Sequence, residues 1–215
     1  FPVVGDRHFE LIHDYDAALD RLIDGIDQAR GHVHLMYYIF ADDAVGRRVS
    51  EALARACRRG VAVRVLLDAI GARDGLKAHA PALRAAGAEV IALLPLQLFE
   101  RDRLRPDLRN HRKIVVIDGS VAFFGSQNIV SSTANKGLTN EEVVVRAEGA
   151  VVKQLHAVLL GDRYLETADV PPEVDVSGHV APPTHRPAYA QVVPSGPGCR
   201  ADTIENVMVG LMYAA

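Results

Sequence analysis

Val61-Ala62-Val63-Arg64-Val65-Leu66-Leu67 is the stretch that most limits the fold. A strand with one wetted face alternates apolar and polar residues. This one is apolar almost throughout, which calls for cover on both faces. Segments at helical spacing stand on either side of it. Residues 14–30 carry Ala18, Leu19, Leu22, Ile23, Ile26 and Ala29 on one stripe, and Gly31 supplies the stop. A second helix is expected from about 46 to 59, buried through Val49, Leu53 and Ala56, and a third near 77–86 with Gly87 as its cap. Strands are expected at 32–40 and 88–93, with His32 and His34 as ordinary strand positions. The order β-α-β-α-β predicts an α/β fold: a mixed, largely parallel sheet with helices on both faces.

The run Asn110-His111-Arg112-Lys113-Ile114-Val115-Val116-Ile117-Asp118 carries the chemistry. Read as a strand, it sets His111 and Lys113 on one face. A second strand at about 120–124 leads into Gly125-Ser126-Gln127-Asn128, which brings a hydroxyl and an amide back beside the first. The set suits a phosphate ester. A neutral imidazole can attack phosphorus or, once protonated, donate to a leaving oxygen near pH 7. Lys113 is a point cation for the phosphate oxygens, and Ser126 and Asn128 can hold the same oxygens or the histidine. Asp118 lies five residues beyond Lys113. That is too far to share its phosphate contact, so Asp118 is expected to cap the strand or bond the turn.

Residues 95–110 form a loop dense in charge, with Arg101, Arg103, Arg105 and Arg109 against Asp102 and Asp107. Because it runs straight into the motif, Arg109 and Arg112 become candidate contacts for an anionic headgroup. The whole-chain charge of −3 excludes bulk electrostatic attraction to nucleic acid or anionic lipid, so any phosphate affinity must be local. Cys57 and Cys199 stand too far apart for a redox or metal spacing, and neither a metal nor a cofactor is expected. No apolar run reaches the ~20 residues of a membrane span. The chain begins at Phe1 rather than a methionine, so its first residues say nothing about a leader or an anchor.

Beyond the motif, a strand is expected at 142–147 and a helix at 149–166, carrying Val152, Leu155, Val158 and Leu159. From Pro171 to Pro187 five prolines fall in seventeen residues, which reads as a linker containing His179 and His185. A short strand at 190–193 and the turn Ser195-Gly196-Pro197-Gly198 follow. The last helix then repeats the first at a constant offset of 185: Leu22-Ile23-Asp24-Gly25-Ile26 against Val207-Met208-Val209-Gly210-Leu211, and Ala29 against Ala214. Each helix follows a short strand-and-turn segment. The expected organisation is a lobe at 1–170, a linker at 171–187, and the start of a second, truncated lobe at 188–215.

The pattern His111-x-Lys113-x4-Asp118-x6-Gly125-Ser126-x-Asn128 resembles the signature of the phospholipase D superfamily. Arg109-Asn110-His111-Arg112-Lys113-Ile114-Val115-Val116-Ile117-Asp118-Gly119 looks most like the bacterial cardiolipin synthases, and Gly60-Val61-Ala62-Val63-Arg64, Asp68 and Ser195-Gly196-Pro197 add to the likeness. Three features depart from that pattern: Ser126 stands where a second glycine is usual, Asn140-Glu141-Glu142 where a Trp-x-Asp is usual, and the membrane helices usual in those synthases are not found in these residues. The resemblance implies metal-free phosphodiester chemistry in two steps. One histidine forms a phosphohistidine, and a second, from another copy of the motif near position 296, serves as acid and base. It also implies that Glu142, or failing that Glu141, hydrogen-bonds the histidine. The implied substrate is a phospholipid, met by peripheral contact with a bacterial inner membrane or from the cytoplasm. The implied partner is a second lobe or a homodimer mate, and no nucleic acid is expected. The rival readings are a nuclease or other phosphodiesterase of the same superfamily, and a non-catalytic lobe that retains the fold.

Overall fold

Two aspartates open the first two helices. Asp14 caps α1 (Tyr15–Gln28) by accepting from the Ala17 amide at 2.8 Å, and Asp43 caps α2 (Ala44–Arg58) by accepting from Gly46 at 2.8 Å. The structure, a computed structural model, describes residues 1–6, 8–95, 109–134, 138–172, 188–196 and 202–214. The expectations for Arg101, Arg103, Arg105, Asp102, Asp107, His179, His185 and Cys199, and for most of the linker, lie outside the described residues.

The other elements, in chain order, are β1 (Val4–Asp6), β2 (His8–Ile12), β3 (His32–Tyr37), β4 (Ala62–Asp68), α3 (Arg73–Ala85), β5 (Glu89–Leu93), β6 (Ile114–Ile117), β7 (Val121–Gly125), β8 (Val144–Glu148), α4 (Ala150–Thr167), β9 (Ala188–Ala190) and α5 (Thr203–Ala214). Seven strands form one sheet in the order β2-β8-β7-β6-β3-β4-β5, and β1 pairs separately with β9. The sheet is mixed and lies between helices, as expected, but its parallel part is smaller than expected. Only β3–β4 and β4–β5 are parallel; the other four pairings are antiparallel. The reason is connection length. Helices α2 and α3 carry the chain across the sheet between β3, β4 and β5, whereas the short turn between β6 and β7 only permits a hairpin.

Alternation along the central strands separates the two cores. Leu35, Val65 and Leu67 face α1, α2 and α3, with Leu19, Leu22, Ile26, Val49, Leu53 and Leu83. Met36 and Leu66 face α4, with Val152, Leu155 and Leu159. Helix α3 begins at Arg73, four residues before its expected start. Gly75 lies inside it because a Cβ there would come within 1.8 Å of the Phe40 carbonyl oxygen. By contrast α5, the counterpart of α1 in the sequence repeat, has no buried residue and exposes Met212 and Tyr213.

His32 and His34 are more than ordinary strand positions. His34 is fully buried and meets a third histidine, the buried His156 of α4, with the His156 Nε2 and His34 Nδ1 atoms 2.8 Å apart. On the other side, Arg64 Nη1 stands 3.3 Å from His34 Nε2. The His32 ring stacks on His156 with centroids 5.3 Å apart. Burial, with the neighbouring His156, His32, Arg64 and Arg163, pushes the His34 imidazole down to about 2; burial, with His32, pushes His156 down to about 4. Burial also lowers His32, partly opposed by Asp118. All three are neutral rings at neutral pH. Sequence spacing gave no sign of this cluster, since His156 arrives from a helix 122 residues away.

Candidate active site

The His-Lys segment is hung on one buried carboxylate. Asp68, fully buried at the end of β4, accepts from the Ile70 amide at 2.9 Å and the Gly71 amide at 2.8 Å. The same carboxylate takes Arg109 Nε at 3.0 Å and the Asn110 amide at 3.2 Å. Asn110 continues the anchoring: its Nδ2 donates to Asp162 of α4 at 2.7 Å, and its Oδ1 accepts from the Arg112 amide at 3.0 Å. The chain therefore reaches His111 already fixed at two points, at the end of the sheet where parallel strands β3, β4 and β5 finish. Enzymes with open α/β sheets place ligands at that end.

Strand β6 starts only at Ile114, so alternation does not set His111 and Lys113 on a common face. They sit in the segment leading into the strand. Lys113 turns its ammonium back to the His111 carbonyl oxygen at 2.6 Å. Burial pulls that ammonium below the usual lysine range, partly offset by the Glu142 carboxylate. His111 itself is exposed, and its imidazole lies against the ring of Tyr38, with centroids 3.8 Å apart and planes 19° from parallel.

The remaining motif residues brace this arrangement. Asn128 Oδ1 accepts from the Ile39 amide at 3.0 Å, tying the end of β7 to the chain just after Tyr38. Ser126 Oγ accepts from the Val143 amide at 3.1 Å, which secures the residue following Glu142. Glu142 makes no hydrogen bond to His111 among the described residues; its influence is on Lys113. Asp118 lies at the far end of β6, where it bonds the turn. Its carboxylate accepts from the Arg30, Gly31 and His32 amides at 3.0, 2.7 and 2.9 Å. Burial alone would raise Asp118, but the three donors outweigh it and hold it below the usual carboxylate range. Asp118 and Gly119 have φ of 52° and 62°, a left-handed pair at the centre of the turn that the Ser120 amide closes onto the Ile117 carbonyl at 3.0 Å.

Arg109 is already paired within the chain. Its side chain is 8% exposed, paired with Asp68, and its Nη2 donates to the Leu94 carbonyl at 2.9 Å. Arg112 pairs with Asp162 and donates to the Ser195 carbonyl, so its guanidinium is also engaged. The physical reason is shared: each guanidinium lies against a carboxylate withdrawn from solvent, buried at Asp68 and half-buried at Asp162, and pairs with it. Both line a cavity of about 450 Å³ beside His111, together with Leu93, Leu94, Leu165 and Glu166. The site thus sets an exposed histidine in the lining of a cavity, with a half-buried lysine folded back beside it. Tyr38 was not singled out from the sequence, where it reads only as an aromatic strand residue.

Residues 22–162 match the model of the family described as "Cardiolipin synthase, PLD-like domain". The chain belongs to that family. Among curated relatives, cardiolipin synthase A of Pectobacterium carotovorum is 33% identical over 99% of this chain, and that of Proteus mirabilis is 31% identical over the same share. The chain spans about half, 45%, of the length of these relatives. Among solved structures, a phospholipase D family member, Nuc from Salmonella typhimurium, superposes with a TM-score of 0.57 over 74% of this chain and 95% of that one, at 20% identity. NucT from Helicobacter pylori gives 0.52 over 76% and 98%, also at 20% identity. At that identity the two neighbours speak for the fold alone. No helix among the described residues is long and apolar enough to cross a membrane.

Proposed function

We propose that this chain is the first lobe of a cardiolipin synthase-like enzyme that transfers or hydrolyses phosphodiester bonds of phospholipids, with His111 as one of two catalytic histidines. The observation that carries the reading is the clamped segment 109–112, which sets His111 in the lining of a cavity, with the Lys113 ammonium folded back against the His111 carbonyl, in a chain of this family. In the first step an imidazole nitrogen attacks phosphorus and the bond to the leaving alcohol breaks. That alcohol takes a proton from a second imidazole. In the second step the neutralised second imidazole removes a proton from an incoming alcohol or water, which attacks phosphorus and releases the first. Lys113 balances charge on the phosphoryl oxygens through both steps.

The second imidazole belongs, in this reading, to a further lobe whose start is residues 188–215, after a linker at 171–187; a homodimer mate is the alternative source. The pairing of β1 with β9 supports the lobe. At the repeat offset of 185, Val4 corresponds to Tyr189 and Gly5 to Ala190. The strands pair Val4 with Ala190 and Gly5 with Tyr189, the reciprocal register expected of two equivalent strands about a two-fold axis. The enzyme works in peripheral contact with a bacterial membrane.

The test uses the full-length protein with phosphatidylglycerol, phosphatidylcholine and single-stranded DNA as separate substrates. Headgroup release or transfer from lipid, lost in His111→Ala, is the expected result. Turnover of DNA alone would sink the lipid reading, and full activity of His111→Ala would remove this histidine from the chemistry.

A further inference from the structure

We propose that Tyr38 is the positioning residue for His111: its ring, stacked on the imidazole, sets the plane in which the reacting nitrogen lies. The inference rests on the reading that His111 is one of the two catalytic histidines, attacking phosphorus or exchanging a proton with the alcohol. A histidine nucleophile needs something to fix its ring, and a carboxylate on its second nitrogen is the usual device. Glu142, the candidate for that part, is not hydrogen-bonded to the imidazole. What touches the ring is Tyr38, face to face at 3.8 Å between centroids. The Lys113 ammonium stands over the same ring, 5.5 Å from its centroid, so both members of the motif are referenced to one side chain.

Tyr38 is held as firmly as the segment it serves. Directly after it, the Ile39 amide is bonded to Asn128 of the motif. Behind it lies Gly71, where a Cβ would fall 2.6 Å from Tyr38 Cε2 and 2.5 Å from the Tyr38 carbonyl oxygen. No side chain other than hydrogen leaves room for the ring at this spot. The Gly71 amide is bonded to Asp68, the carboxylate that also fixes Arg109 and Asn110 ahead of His111. Both faces of the stack are therefore hung on a single buried group. An imidazole that is exposed to solvent yet backed by a fixed ring keeps few of its rotations, and its nitrogen edge points in one direction before substrate arrives. The electron-rich face also accommodates the positive charge that the imidazole carries when it bonds phosphorus or holds a proton.

Tyr38→Phe, Tyr38→Leu and Gly71→Ala in the full-length protein provide the test. Phenylalanine keeps the stack and should retain kcat within about two-fold. Leucine should lower kcat on the order of 10- to 100-fold with KM within about three-fold, because orientation rather than substrate binding is lost. Gly71→Ala should fall between them. The His111 ring-proton resonances, shifted upfield by the tyrosine ring, should move downfield in Tyr38→Leu and stay in Tyr38→Phe. Wild-type kcat in Tyr38→Leu overturns the proposal. So does Tyr38→Phe failing as badly as Tyr38→Leu, which would make the hydroxyl the active part. If His111→Ala is active, the parent reading falls and the proposal with it; an inactive His111→Ala beside an active Tyr38→Leu refutes the positioning role alone.

Discussion

Acidification should weaken this fold well before its carboxylates titrate, through the histidines buried under α4. In an unfolded chain His34 and His156 titrate near 6.5; in the fold they lie at about 2 and about 4. Their folded values are depressed, and for a histidine this means that the unfolded state binds protons the native state refuses. Stability is therefore complete above about pH 6.5 and falls as pH drops below it. Each such group removes about 1.4 kcal/mol per pH unit, so at pH 5 each has cost roughly 2 kcal/mol and the two together about 4 kcal/mol. Burial of His34 at 0% and His156 at 5% exposure means solvent does little to screen the effect. Against a typical total of 5–15 kcal/mol this is a large share. The assay is urea unfolding of the chain at pH 7.5 and pH 5 at fixed ionic strength, for the wild type and for His156→Gln. The wild type should lose about 4 kcal/mol between the two pH values, and the variant about half of that. Equal losses in both proteins, or a His34 ring that titrates near 6.5 by NMR, would refute the reasoning.

Asp68→Ala should destabilise the fold by about 3–5 kcal/mol in denaturant unfolding, because Arg109 is left buried without its partner; a loss under ~1 kcal/mol would contradict the clamp. Lys113→Met should reduce turnover of phospholipid by the full-length enzyme on the order of 10²–10³-fold, as for loss of one donor to a developing oxyanion; an unchanged rate would take Lys113 off the phosphate. Glu142→Gln should lower the Lys113 ammonium further, since Glu142 now holds it up, and the charged fraction at alkaline pH should shrink. An NMR titration of the Lys113 side chain reads this directly, and no downward movement would separate the two groups.

Much of the architecture was legible because local rules and packing agree. The apolar run at β4, the Asp-Gly turn after β6 and the stripe on α1 each admit few alternatives. Where local signals mislead, a neighbour is the cause. Arg73-Asp74-Gly75 looks like loop, yet it is helix because Phe40 leaves space only for glycine at position 75. The share of antiparallel pairing was underestimated because the run into β6 gives no hint of which strand it joins; β3 is chosen by a register of Val33 with Ile117 and Met36 with Ile114.

The candidate site divides in the same way. Residue type and spacing alone singled out His111, Lys113, Ser126 and Asn128, and set Asp118 apart as a turn residue, because a motif is a statement about chemistry carried in a short stretch. Which partners those groups take is decided by contacts between residues distant in the chain. Asp68 claims Arg109 across 41 positions, Asp162 claims Asn110 across 52, and Tyr38 meets His111 across 73. Sequence named the candidate groups of the motif. Only the tertiary structure decided that its arginines are spent on the carboxylates of Asp68 and Asp162 and that an aromatic ring backs its histidine, since withdrawing a charge from water forces it to pair and only the folded chain determines which charges are withdrawn.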